Sequence, residues 1–135
     1  MPETFAPYQT AILCLGLMSG LLIVQILVAD VVAIARKHTP GMPIDDGHDN
    51  FLFRSARTAA NSNETLAAFI GSLLFCILIG ANATWVNGLT ALYLAGRLGH
   101  MICYYLNWKL ARSAIFALTV ISILGLVGTG LRTLL

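Results

Sequence analysis

The chain has 135 residues, of which 58% are hydrophobic and 10% are charged, and its formal net charge is +2. A soluble domain of this size cannot bury so much apolar surface, so the composition excludes an ordinary globular protein and favours an integral membrane protein. The small net charge gives no indication of nucleic-acid binding. We expect a single domain, residues 1–135, that is all-α and forms a bundle of four transmembrane helices, because helices satisfy their own backbone hydrogen bonds in lipid.

The first predicted helix covers about residues 8–36, and its apolar run, roughly residues 10–35, is interrupted only by Gln25 and Asp30. Its apolar run is too long for a cleavable signal and no basic segment precedes it, so we expect the helix to be retained. The loop that follows contains prolines and glycines that prevent a helix from continuing. Its polar residues could suggest a metal site, but we favour an acidic solvated loop and predict no metal. These residues are Asp45, Asp46, His48 and Asp49.

The second predicted helix covers about residues 51–81 and opens with the sequence RSARTAANSNE. Arg54, Arg57, Asn61 and Glu64 follow one another at helical spacing, so they form one polar stripe. At ~1.5 Å per residue this helix would be about 45 Å long, which exceeds the hydrocarbon thickness of a bilayer. We therefore expect Arg54 and Arg57 to lie above the membrane, with Glu64 at its boundary or deeper.

The third predicted helix covers about residues 85–107 and places Arg97, His100 and Tyr104 on one face. Arg97 lies near the middle of the span, where a charge must face the bundle interior and find a partner. Glu64 is the first candidate for that partner and Asp30 is the second. A Glu64–Arg97 pair could serve packing alone, or it could share the carboxylate with a ligand.

The fourth predicted helix covers about residues 111–134 and begins with Arg112 and Ser113. Basic residues flank the loop between helices 1 and 2 and the turn between helices 3 and 4. The positive-inside rule then predicts that both of these connections are cytoplasmic and that both termini are not. The same end of the bundle gathers polar groups that favour a pocket for a small charged ligand over packing alone. These groups are Arg57, Asn61, His100, Tyr104 and Arg112.

Three segments in order, RSARTAANSNE, RLGHMICY and KLARSAIF, resemble the MAPEG family, membrane-associated proteins in eicosanoid and glutathione metabolism. The resemblance extends over nearly the whole chain. It implies a homotrimer that binds glutathione, its cosubstrate, near the cytoplasmic side between subunits. The residues that the resemblance assigns to glutathione binding are Arg36 (at the subunit boundary), Arg57, Asn61, Glu64, His100 and Tyr104.

The resemblance also implies catalytic roles for Arg112, placed beside the glutathione sulfur, and for Ser113, which follows it. A guanidinium near a thiol favours the thiolate, so it lowers the thiol pKa. Ala60 and Thr65 differ from the residues of better-known members, so the identity of the second substrate does not carry over. The expected function is that of a membrane-bound glutathione transferase, with peroxidase or isomerase activity as alternatives, acting on lipophilic electrophiles or lipid hydroperoxides.

Two other functions compete with this hypothesis. A non-catalytic member that binds lipid or acts as a scaffold would not need the set formed by Asn61, Glu64 and Arg112. A small transporter or channel subunit would be expected to show inverted halves or helix-breaking prolines within its spans, and neither is present in the sequence. In every case membrane lipids are expected to surround the chain.

Overall fold

The computed structural model describes residues 2–45 and 47–135 and is all-helical, which confirms the predicted all-α class with four long helices. A short 3₁₀ helix, Glu3–Tyr8, leads into α1, Gln9–Ala35. The other helices are α2, Phe51–Leu78; α3, Ala83–Tyr105; and α4, Lys109–Leu134. Asp46, one of the acidic residues singled out in the first loop, lies outside the described residues.

The end of α2 lies at Leu78, three residues before the predicted end at 81, and Gly80 explains the difference. Gly80 has a φ of 68°, in the left-handed region that glycine adopts without steric cost. Its N–H donates to the Ile77 carbonyl, and the N–H of Ala81 donates to the Cys76 carbonyl at 2.9 Å. This paired arrangement satisfies carbonyls that the helix end would otherwise leave free.

The ends of α1 and α3 are built in the same way, but with residues other than glycine in the left-handed position. Lys37 has a φ of 54° and Asn107 has a φ of 60°. The next residues, His38 and Trp108, donate back into the last turns at 2.9 Å and 2.8 Å. All three helices therefore end through one hydrogen-bonding pattern.

Three helical segments are long and apolar enough to cross a membrane: Glu3–Ala35, Phe51–Leu78 and Lys109–Leu134. The 23-residue α3 is not among them, since polar residues such as Asn87, Arg97 and His100 lower its mean hydropathy. Many large apolar side chains of α1 and α4 are exposed, for example Leu17, Val31 and Leu124. An exposed apolar surface of this extent is expected of helices that face lipid.

The middle of the bundle is held by aromatic stacking between α2 and α3. The Phe69 and Tyr93 rings are parallel with centroids 3.8 Å apart, and the Tyr93 hydroxyl lies 3.0 Å from Thr65 Oγ1. At one end of the bundle Tyr8 donates to the Ala81 carbonyl, and Asn87 donates to the Pro7 carbonyl at 2.8 Å. These contacts set the rotation of α2 and α3 about their axes, which decides what the polar residues nearer the other end can reach.

Candidate functional site

The polar stripe of α2 forms a connected set of side chains at the surface of the bundle. Arg57 and Glu64 make an ion pair at 3.6 Å, and their side chains are 43% and 54% exposed. Asn61 donates from Nδ2 to Glu64 Oε2 at 3.2 Å. We call these three residues the α2 cluster. Because Arg57 and Glu64 are half-exposed, both can reach a ligand that settles beside α2.

Arg97 of α3 lies directly behind the α2 cluster and is fully buried. Its Nη2 donates to Asn61 Oδ1 and to Ser62 Oγ, each at 3.0 Å. In the described part of the chain its Nε and Nη1 atoms have no hydrogen-bond partner. The guanidinium is therefore anchored to α2 by neutral acceptors and retains unused donors.

The expected ion pair between Glu64 and Arg97 is not formed, and Asp30, the second candidate, is exposed on α1. Residues two apart on an α-helix point about 200° apart, so when Ser62 faces α3 the Glu64 carboxylate must face away. Glu64 turns to Arg57 instead. Asn61 links the two groups, because it accepts from Arg97 and donates to Glu64.

A second set of residues lies further along the same face of α3. His100 is buried and meets Tyr104 edge-to-face with ring centroids 5.0 Å apart. The Arg112 guanidinium of α4 lies over the Tyr104 ring, 4.4 Å from its centroid. Arg112 Nη1 also lies 3.3 Å from Nδ1 of His48, which comes from the loop between α1 and α2. We call His48, His100, Tyr104 and Arg112 the loop cluster.

His48 is held in the loop cluster by contacts on both its backbone and its ring. Arg54 donates to the His48 carbonyl, and the imidazole packs edge-to-face on Phe53 at 5.5 Å. Because Arg112 can only donate, Nδ1 of His48 must accept, which requires a neutral imidazole protonated on Nε2. The loop between α1 and α2, which the sequence predicted to be acidic and solvated, thus places His48 against Arg112.

The charge environment of His48 favours this neutral form. Burial lowers the pKa of the imidazole, and nearby positive charges lower it further. Those charges belong to Arg112, Lys109 and Arg54, in that order of effect, while Asp49 acts in the opposite direction. The Arg112–His48 hydrogen bond is therefore expected to persist at neutral pH.

Two residues expected at the site are not members of either cluster within this chain. Arg36 is exposed at the end of α1 and lines a cavity of about 480 Å³ together with the first loop and Leu52. Ser113 is exposed, and its hydroxyl donates to the Lys109 carbonyl at 3.4 Å. The other expected residues fall into the two clusters, with Arg57, Asn61 and Glu64 in one and His100, Tyr104 and Arg112 in the other.

The sequence singled out His48 only as a member of an acidic loop. Its place directly before the polar stripe of α2 was the one available signal, since a residue there must lie near the end of α3 in an antiparallel bundle.

Among the residues that the structure describes, no group of three His, Cys, Asp or Glu side chains is arranged to hold a metal ion.

Comparison with known families gives one match. The model of the MAPEG family matches residues 8–132, which is nearly the whole chain. No curated protein sequence matches this chain.

Proposed function

Because the chain belongs to the MAPEG family, we propose that it is a membrane-bound, glutathione-dependent transferase or peroxidase acting on lipophilic electrophiles or lipid hydroperoxides. The observation that carries this proposal is the position of Arg112. Its guanidinium is fixed by His48 and Tyr104, while Arg57 and Glu64 stand half-exposed on α2. That arrangement offers charges suited to both ends of a zwitterionic peptide.

The α2 cluster suits the polar ends of glutathione, which carries two carboxylates, one ammonium and one thiol. Glu64 has lone pairs beyond those used by Arg57 and Asn61, so it can accept from the ammonium group as well. Arg57 is exposed enough to offer its fork to a carboxylate. The unused donors of buried Arg97 also favour a polar ligand here, since buried donors are rarely left without an acceptor.

Arg112 would meet the sulfur. A thiol with an ordinary pKa of about 8.5 is mostly protonated at neutral pH, and a guanidinium beside it favours the anion. When bound, glutathione supplies the nucleophile that forms a carbon–sulfur bond with an electrophile or is oxidised by a hydroperoxide. The first turn of α4 carries exposed apolar side chains such as Leu110, so a lipophilic substrate can approach from the membrane.

His48 acts here as a positioning residue. It accepts a hydrogen bond from one nitrogen of Arg112, and Tyr104 covers one face of the guanidinium plane. The remaining N–H groups of Arg112 are the ones that would meet the sulfur. A fixed donor of this kind stabilises developing charge better than a mobile one, because it needs no reorganisation during the reaction.

The proposed assembly is a homotrimer in the membrane, with the end that carries both clusters on the cytoplasmic side. In that assembly Arg36 would complete a glutathione site on a neighbouring subunit. This accounts for its position away from the clusters of its own chain. Ser113, exposed beside Arg112, would face the same boundary.

The test uses the purified protein in detergent. Adding glutathione should produce the ultraviolet absorbance of a thiolate at neutral pH, and a model aryl halide should then be conjugated. Glutathione binding without thiolate would instead indicate the non-catalytic, lipid-binding or scaffold alternative. A protein that neither binds glutathione nor conjugates the electrophile would refute the proposal.

A further inference from the structure

A cavity of about 570 Å³ opens at the end of the bundle opposite the two clusters. It lies between the start of α3 and the last turns of α4, and we call it the α3–α4 cavity. The residues that line it include Asn82, Trp85, Leu89, Gly128, Thr129 and Arg132.

Among the described residues that line the α3–α4 cavity, Asn82 and Arg132 offer donors and none is an Asp or a Glu. The Thr129 hydroxyl donates to the Gly125 carbonyl at 2.8 Å, so its proton is already used. Asn82 accepts from the Trp85 N–H through Oδ1 at 3.2 Å, which leaves its Nδ2 hydrogens available. Arg132 forms no ion pair and donates no side-chain hydrogen bond within residues 2–45 and 47–135. A ligand for this cavity must therefore bring acceptors, and Arg132 favours an anionic one.

The part of the cavity deeper in the span is apolar and has open space. A Cβ atom added at Gly125 would lie 2.8 Å from Leu89 Cδ2, so Leu89 already fills that side. A Cβ atom added at Gly128 would meet nothing within 4 Å. The side of α4 at Gly128 is therefore unobstructed, so a hydrocarbon chain could lie there.

The position of the cavity along the bundle matches the boundary of a bilayer. Trp85 is 65% exposed in the first turn of α3, and Arg132 is in the last turn of α4. Tryptophan and arginine at helix ends are typical of the level of lipid headgroups. Donors at that level and apolar space below it have the polarity profile of a phospholipid.

We propose that the α3–α4 cavity binds one anionic phospholipid, with the phosphate at Arg132 and Asn82 and one acyl chain beside Gly128. The unused positive charge argues for this ligand over a second copy of the chain, whose helix surface would have to bring its own acceptor to Arg132. The proposal concerns the end of the bundle away from the glutathione clusters, so it stands or falls independently of the proposed enzyme activity.

The test is native mass spectrometry of the full chain, released from micelles that contain equal amounts of phosphatidylglycerol and phosphatidylcholine. The unchanged protein should retain phosphatidylglycerol in preference. Arg132→Gln should reduce the ratio of retained phosphatidylglycerol to phosphatidylcholine roughly fivefold, the factor expected for one basic residue at a membrane surface. Gly128→Leu should reduce retention of both lipids, because the new side chain fills the open space.

Gly16→Leu is the matched control, since it adds the same side chain at another open helical position, on α1, and should leave lipid retention unchanged. Equal retention of both lipids by the unchanged protein would overturn the proposal, as would an unchanged ratio in Arg132→Gln. If Gly128→Leu lowers the number of chains in the assembly, a second copy occupies the cavity and the proposal is wrong.

Discussion

At the scale of single residues, Arg112 is restrained on two sides, by the Tyr104 ring and by the His48 nitrogen. Replacing it with alanine leaves the α2 cluster intact, so bound glutathione should remain while its thiol stays protonated. We expect the conjugation rate to fall about 10²–10³-fold, the usual cost of removing one donor that stabilises developing charge. Thiolate absorbance and glutathione binding by calorimetry measure the two effects separately.

Arg132→Ala is the control for Arg112→Ala, because it removes an equal charge from the opposite end of the bundle and should leave both readouts unchanged. An equal loss of binding and thiolate in Arg112→Ala would show that Arg112 holds the peptide instead of activating its sulfur.

The pKa of His48 is lowered by burial and by the positive charges around it, and this makes stability depend on pH. As pH falls below the ordinary histidine pKa of about 6.5, the unfolded chain takes up a proton before the folded chain does, so the folded state loses stability. His48→Gln keeps an acceptor for Arg112 but cannot titrate. We expect the melting temperature of the unchanged protein to fall more steeply between neutral and mildly acid pH than that of His48→Gln.

Every other ionisable group is common to both proteins, so the difference between the two curves isolates His48. Parallel curves would mean that His48 is not held neutral against Arg112, Lys109 and Arg54.

Two polar residues of α2 differ in their relation to Arg97: Ser62 bonds to it and is structural, whereas Glu64 does not and is left for a ligand. Ser62→Ala removes one acceptor from a fully buried guanidinium, and it should destabilise the protein by about 1–3 kcal/mol. Glu64→Gln removes a half-exposed charge whose ion pair contributes about 0–1 kcal/mol. We therefore expect Glu64→Gln to weaken glutathione binding with little loss of stability, and Ser62→Ala to do the reverse.

Unfolding in a titration with denaturing detergent measures the stability of both variants, and calorimetry measures their glutathione affinity. If Glu64→Gln were the more destabilising of the two, Glu64 would belong to the packing of the bundle and not to the ligand site.

At the scale of helices, close packing of α4 against its neighbours depends on small residues at particular positions. A Cβ atom at Gly130 would collide with the Phe75 ring of α2, whereas one at Gly128 would meet nothing within 4 Å. Gly130→Ala should therefore destabilise the protein by about 1–3 kcal/mol through overpacking. Gly128→Ala makes the same chemical change without the collision, and its better helix propensity should stabilise the protein by up to about 1 kcal/mol.

Detergent-denaturation curves of the two glycine variants provide the comparison. Equal effects would mean that Phe75 moves aside without cost, so that the contact between α2 and α4 does not determine their spacing.

The sequence predicts the number and order of the helices better than it predicts where each helix ends. Hydropathy and the 3.6-residue period predicted four helices, because both are properties of neighbouring residues. Gly80 could indicate the end of α2 from its residue type alone, but Lys37 and Asn107 adopt the left-handed conformation without being glycine. Such ends follow from where the next helix packs, so periodicity alone places them only to within a few residues.

At the scale of the whole molecule, the two ends of the bundle differ in chemistry. One end carries the α2 cluster and the loop cluster, together with the basic residues that flank both connections. The other end carries the α3–α4 cavity, with a single arginine. A polar cosubstrate and an anionic lipid would therefore bind at opposite membrane surfaces. Substitutions at one end of the bundle test one proposal without affecting the test of the other.

The sequence by itself determined the membrane class, the four helices, the polar stripe from Arg57 to Glu64 and the family, because these follow from composition and from spacing along one helix. Only the tertiary structure decided that Arg97 bonds to Asn61 and Ser62 instead of Glu64, and that His48 lies against Arg112. The physical reason is that such contacts depend on the rotation of each helix about its axis and on the path of the loop. Both are set by packing between residues far apart in the chain, as in the stack of Phe69 on Tyr93.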